Sequence, residues 1–254
     1  MSKFENDYKD LIVKILSKGS LEENRTNSKT MTLFGEHLKV DMRKGLLPIV
    51  TGKKIFFKKA YHEYCWIIGG GTTTKYLNDN NIKWWNQYAD KNGSLGKTYG
   101  YQLNNFNGEI NQVSYVLKEL RLNSRRAHIT MWNPSELNET VLPCCYTGFT
   151  FVIIGNELNL SMQFRSSDVF LGLPYDIIFG SLFLKEVAEI LNFKTGFIKF
   201  NLENAHIYEN NIDAANLYLK TKTYDLPAFP IKGDKLENYK HGDYIYAPLN
   251  NQIN

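Results

Sequence analysis

Leu142-Pro143-Cys144-Cys145 opens the stretch whose reading decides the fold, and Arg165-Ser166-Ser167-Asp168-Val169-Phe170-Leu171-Gly172-Leu173-Pro174 closes it. Between them, β-branched and aromatic residues fill Phe149 to Ile154 and recur from Leu158 to Phe164, on either side of Gly155-Asn156. Two such runs around a two-residue turn pair predict a β-hairpin. That hairpin sets a candidate thiol nucleophile one strand pair from an arginine. Cationic neighbours favour a thiolate, and a guanidinium is a fork for phosphate or carboxylate. The pairing therefore points to covalent catalysis on an anionic substrate.

C-terminal to the hairpin, Ile177 to Leu191 is apolar on nearly every face, which predicts the central buried helix. Phe197 to Leu202 reads as another strand. In the N-terminal direction, Tyr8, Leu11, Ile12, Ile15 and Leu16 share one helical face, with Gly19 as the stop. A second helix is predicted from near Lys54 to Ile68, carrying Tyr61, Glu63, Cys65 and Trp66 until Gly69-Gly70-Gly71 ends it. After Lys220 the sequence turns irregular and predicts a tail wrapped over the domain, its last residues mobile.

With 254 residues and 43% hydrophobic content, the chain can bury a substantial core, and residues 1–254 read as one domain. Its 30 basic and 26 acidic residues leave a net charge of +4 without a long block of one sign, too weak a field to imply polyanion binding. No apolar run approaches a membrane span, and Met1-Ser2-Lys3-Phe4-Glu5 turns polar too soon for a signal peptide, so a soluble cytoplasmic protein is expected. Three cysteines are not the pattern of a disulfide scaffold, and the absence of a Cys-x-x-Cys or His-x-x-x-His pair gives no support for a metal.

Several residues could carry chemistry. Glu63 lies in an apolar helix, where burial would raise its pKa into the range of a proton shuttle. The plainer alternative is a surface carboxylate satisfied by Lys58 or Lys59. Cys144 and Cys145 could likewise be small core residues. On an extended segment their side chains face opposite ways. Arg125-Arg126 follows Asn123-Ser124 at a turn into a strand beginning Ala127-His128-Ile129, suited to clamping a phosphate or to forming a solvated basic edge. Gly69-Gly70-Gly71 lacks the Gly-Lys-Ser/Thr ending of a P-loop. If Asn204 to Tyr208 is extended, His206 and Tyr208 share a side.

Taken in order, these segments resemble those of thymidylate synthases and the related pyrimidine nucleotide hydroxymethylases. The likeness runs from Tyr8 through Leu219 and includes Asn24-Arg25-Thr26, Tyr61-His62-Glu63, Trp85-Asn86-Gln87-Tyr88-Ala89-Asp90, Tyr99-Gly100, Ser124-Arg125-Arg126, Pro143-Cys144, Arg165 to Pro174 and Ala205-His206-Ile207-Tyr208. It implies an α/β fold whose large twisted mixed sheet packs on a second copy as a homodimer. By the resemblance, Cys144 adds to C6 of a pyrimidine nucleoside monophosphate, and C5 then accepts a one-carbon unit from 5,10-methylenetetrahydrofolate. Arg25, Arg165 and Ser166 would hold the phosphate, with Arg125 and Arg126 arriving from the other subunit. Glu63 and Tyr99 would serve proton transfer, His206 and Tyr208 the sugar, Asp168 nucleotide and folate, and Trp85 and Gly172 the folate pocket.

Three departures from thymidylate synthases stand out. Asp176 replaces an asparagine whose amide matches the N3–H and O4 of uracil. A carboxylic acid can donate to N3 of cytosine and accept from its N4–H, so Asp176 favours cytosine, and the related deoxycytidylate hydroxymethylases carry aspartate here. Cys145 stands where a histidine usually joins the water network near C4. The end, Ala247 to Asn254, lacks the short apolar terminus that closes over folate. These departures point to a deoxycytidylate 5-hydroxymethylase, an activity suited to a virus marking its own DNA within host cytoplasm. A thymidylate synthase or dCMP methylase is the nearest alternative. A non-catalytic nucleotide- or RNA-binding relative is a third, given 16 tyrosines, but retention of the thiol, Glu63, Tyr99 and the arginines argues against it and against direct nucleic-acid binding.

Overall fold

The computed structural model describes residues 2–230 and 233–249. Helix α1 (Lys3–Lys18) starts at Ser2, whose hydroxyl accepts the Glu5 N–H, and it buries Tyr8, Leu11, Ile12 and Ile15 as the periodicity predicts. Gly19 does end it, though not in the left-handed region: its φ is −70°. Glycine is required there by proximity, because a Cβ would lie 2.5 Å from the Ile15 carbonyl oxygen.

Among the described residues, seven strands form one mixed sheet. They are β1 (Ser20–Glu22), β2 (Thr30–Asp41), β3 (His128–Thr130), β4 (Tyr146–Ile154), β5 (Glu157–Phe164), β6 (Ser167–Asp168) and β7 (Lys194–Tyr208). The order is β1-β2-β7-β5-β4-β3, with β6 beside β7. The predicted hairpin is β4–β5, closed by Gly155 at φ +61°. Parallel pairing of β5 with β7 requires a crossover. Helix α6 (Leu173–Leu191) supplies it, starting four residues before the expected Ile177 because Pro174 is favourable in a first turn.

Alternation then assigns the faces. Leu158, Leu160, Met162 and Phe164 of β5 turn toward α6, while Asn159, Ser161 and Gln163 form part of a polar outer face. Gly180 lets α6 lie close on the sheet, since a Cβ would meet Met162 Sδ at 2.6 Å. Phe183 meets Phe149 and Phe151 edge-on, with centroids 5.6 and 5.4 Å away. Each fully buried phenylalanine stabilises the fold by about 1.5–3 kcal/mol.

The remaining helices are α2 (Phe57–Ile68), α3 (Lys75–Asp79), α4 (Tyr99–Asn104), α5 (Gln112–Arg121) and α7 (Ile212–Leu219). Helix α2 begins three residues later than predicted, because the Lys54 N–H donates to the Asp243 carbonyl of the tail, at 3.2 Å. The expected strand Phe197–Leu202 is the middle of the longer β7, which extends through His206 and Tyr208. Beyond Leu219 the described residues contain neither helix nor strand. This tail is nonetheless fastened: Tyr239 Oη donates to the Val50 carbonyl at 2.7 Å, Gly242 N–H to Thr51 at 2.8 Å, and Ile245 and Ala247 are buried. The terminal residues expected to be mobile, 250–254, lie outside the described residues.

Candidate active site

The thiols stand where the chain enters β4. Cys144 is buried, at 3% exposure, while Cys145 is half-buried. Arg165, at the end of β5, donates from Nε to the Cys144 carbonyl at 2.9 Å and from Nη2 to the Pro143 carbonyl at 2.8 Å. The guanidinium is thus fixed beside both cysteines. Burial pushes both thiols above their ordinary pKa; the Cys145 thiolate raises that of Cys144 further, and Arg165 opposes the rise at both. Tyr99 Oη accepts the Cys145 N–H at 2.8 Å, tying α4 to the thiol segment.

Leaving β5, the chain forms a loop held from every side. Asp168 lies opposite His206 in the parallel β6–β7 register. Its Oδ1 accepts the Phe170 and Leu171 N–H groups, both at 3.0 Å. Tyr8 Oη donates to the Val169 carbonyl at 2.7 Å, and buried Lys53 Nζ to that of Phe170 at 2.6 Å. Burial brings Lys53 down to about 7, with the Asp168 carboxylate opposing the fall. This fixed loop leads through Gly172 into α6 and sets the position of Asp176. Ser166 beside it is half-buried.

Asp176 opens into a cavity of about 70 Å³ together with Glu63, Trp85, Tyr99, Tyr146 and Tyr175. Burial, then the charges of Glu63 and Asp168, push its carboxyl well above the usual carboxylate range. Among the described residues no protein group donates a hydrogen bond to its side chain. Glu63 is also raised by burial, partly offset by the indole N–H groups of Trp84, at 2.9 Å, and Trp85. Both donate to Oε1. The alternative of a surface carboxylate satisfied by lysine is overturned: Lys58 pairs with Asp234 at 2.9 Å, and Lys59 sits over the Phe56 and Trp84 rings.

Arg25 is exposed on a turn in which Asn24 Oδ1 accepts the Thr26 N–H at 2.8 Å. Burial raises Tyr88, Tyr208 and Cys145, and Arg25 is close enough to oppose the rise at each. His206 and Tyr208 do share a side, edge to face with centroids 5.3 Å apart. Burial lowers the His206 pKa and favours its neutral imidazole, although the Asp168 charge pulls the other way. One shell therefore holds Arg25, both thiols, Arg165, Asp168, His206 and Tyr208 around the cavity of Glu63 and Asp176.

A family model described as Thymidylate synthase matches residues 6–248. The chain belongs to the thymidylate synthase family. Family membership sets the reaction class, one-carbon transfer to C5 of a pyrimidine nucleotide. No helix among the described residues is long and apolar enough to cross a membrane.

Arg125 and Arg126 are not brought to this shell. They are exposed before β3, after Asn123 at φ +50°. Sequence reasoning also missed Trp84, Tyr146 and Tyr175. Trp84 and Trp85 are adjacent and half of the four tryptophans in the chain. That doublet was the available signal.

Proposed function

We propose that the protein is a deoxycytidylate 5-hydroxymethylase, converting dCMP, methylenetetrahydrofolate and water to 5-hydroxymethyl-dCMP and tetrahydrofolate. The observation that carries this reading is Asp176, a carboxyl that burial holds toward its neutral form and to which, among the described residues, no protein group donates. Addition of a thiolate to C6 sends an electron pair toward N3 in cytosine and toward O4 in uracil. Uracil already bears a proton on N3, whereas cytosine must receive one. A protonated Asp176 can donate that proton while accepting from N4–H; an asparagine amide has no proton to transfer.

In this reading Cys144 Sγ forms the bond to C6, and Arg165 stabilises its thiolate. Arg25, Arg165 and Ser166 bind the phosphate. Arg125 and Arg126, exposed and remote from their own cavity, reach the phosphate of a second copy in a homodimer. His206 and Tyr208 hold the sugar hydroxyl. Methylenetetrahydrofolate supplies the one-carbon unit when bound. The partly exposed rings of Trp84 and Tyr175, 5.7 Å apart, together with Trp85 and side-chain-free Gly172, fit a flat fused ring, and Asp168 keeps Oδ2 available for polar contact. Glu63 and Tyr99 order water in the cavity and carry the C5 proton away. Loss of that proton breaks the bond to the folate nitrogen, so that tetrahydrofolate leaves and a methylene carbon remains on C5; water adds to this carbon, giving its proton to the Glu63 site, and the thiolate departs from C6.

Trp85 favours a second reading, methyl transfer by hydride. It is buried against Trp66, Tyr88 and Tyr99 and could shield the methylene carbon from water. Product mass from dCMP and dUMP, with oxygen-labelled water and assay of the folate product, separates the two. Labelled hydroxymethyl product and tetrahydrofolate support the hydroxymethylase; an unlabelled methyl product with stoichiometric dihydrofolate overturns it.

A further inference from the structure

The two indoles on Glu63 have a consequence for where its proton can reside. An indole N–H only donates. With Trp84 and Trp85 both directed at Oε1, that oxygen must act as acceptor, and a hydroxyl proton there would meet two opposing N–H groups. We propose that Trp84 is a positioning residue that, with Trp85, pins Oε1 of Glu63 and thereby assigns the mobile proton to Oε2. The inference rests on Glu63 serving proton transfer, as proposed above.

Trp84 is held by contacts other than this bond. Its ring lies 5.7 Å from that of Tyr175 and under Lys59 Nζ, also at 5.7 Å. Neither contact requires the N–H to point at Glu63, so the bond can be removed while the packing is kept. The other ionisable groups facing Glu63 are Tyr99 of α4, Tyr146 of β4, and Tyr175 and Asp176 of α6. On α2 itself, Lys58 is engaged by Asp234 and Tyr64 Oη donates to Glu186. The indoles are thus the donors that fix the carboxyl, and the tyrosines and Asp176 are its partners across the cavity.

Trp84→Phe keeps an aromatic ring, though a smaller one, and removes the N–H. Infrared titration of the unliganded protein reads the carboxylic-acid carbonyl band of Glu63, assigned by its loss in Glu63→Gln. The expected midpoint in Trp84→Phe is higher by about one pH unit, a tenfold change in proton affinity. The kcat for the nucleotide should fall about tenfold with KM within about twofold, and the pH–rate limb set by Glu63 should move the same way. An unmoved midpoint with unchanged kcat overturns the inference. A moved midpoint in a protein that turns over no pyrimidine nucleotide keeps Trp84 as the positioning residue and removes the proposed function instead. Should Trp84→Phe fail to fold, resonance Raman of the indole N–H in the unaltered protein reads the same bonds. Two indole markers must change across the Glu63 midpoint, and a change in only one overturns the role of Trp84.

Discussion

Glu5 and Glu63 are both carboxylates among apolar side chains, yet their surroundings prepare them for opposite tasks. Glu5 is fully buried, and both its oxygens are filled: Oε1 accepts from Thr51 N–H at 2.9 Å, Gly52 N–H at 2.6 Å and Tyr218 Oη at 2.8 Å, while Oε2 accepts from Thr51 N–H at 3.0 Å and Thr51 Oγ1. Such saturation leaves no site for a substrate or water, and it locks α1 to the segment carrying Lys53. Among the described residues the donors to Glu63 reach one oxygen only, and it shares its cavity with Asp176. A buried carboxyl group with every acceptor site used is a fastening; one with an oxygen left over can exchange a proton.

The largest test of that difference lies beside the cavity. Cys144→Ala should lower kcat/KM for the nucleotide by roughly 10³-fold or more, since no other group replaces a covalent nucleophile. Cys145→Ala should retain measurable turnover. Near-normal activity in the first variant and loss in the second would move the nucleophile to Cys145 and leave Glu63 beside the wrong thiol.

Glu63→Gln and Glu5→Gln then set the two carboxylates against each other. The first should cut kcat by about 10²–10⁴-fold while the melting temperature barely moves. The second should do the reverse: an amide N–H₂ facing donors leaves buried groups unpaired at about 1–3 kcal/mol each, so the melting temperature drops while kcat per folded molecule holds. Loss of activity in both without loss of stability in either would erase the distinction.

Asp176→Asn should turn preference from dCMP toward dUMP by roughly 10- to 100-fold in kcat/KM, the equivalent of one unpaired buried polar group. Unaltered enzyme that processes dUMP far better than dCMP would refute the cytosine reading.

The smallest expected effect is on stability against pH. Because the folded pKa of Asp176 is raised, the native state holds a proton that the unfolded chain releases above about pH 4. Stability from this group is therefore lost as pH climbs from the unfolded value to the folded one. Asp176→Asn should melt higher than the unaltered protein at pH 8, with the gain shrinking toward pH 4. A gain that grows on acidification would show that the carboxyl is ionised in the native state.

Much of this was legible in local sequence. Gly155-Asn156 between β-forming runs specified the hairpin, and fifteen apolar-rich positions from Ile177 to Leu191 specified the core of α6, because turn geometry and burial act over a few neighbouring residues. The partners of Glu63 were not legible. The lysines nearest in sequence were the natural guess, whereas the donors come from 21 and 22 residues away, on the loop after α3. The acceptor role of Glu5 was invisible for the same reason, its partners being 46, 47 and 213 residues distant.

By itself the sequence determined which chemical groups exist and on which local elements they ride: a Pro-Cys thiol entering a strand, arginines at turns, an aspartate in the first turn of a buried helix. Tertiary structure decided which of them meet. The sheet register set Asp168 beside His206, the crossover of α6 brought Asp176 to Glu63, and the same packing left Arg125 and Arg126 outside the shell. Side-chain periodicity is written in neighbouring residues, but hydrogen bonding and desolvation depend on atoms that only the closed fold brings within a few ångströms.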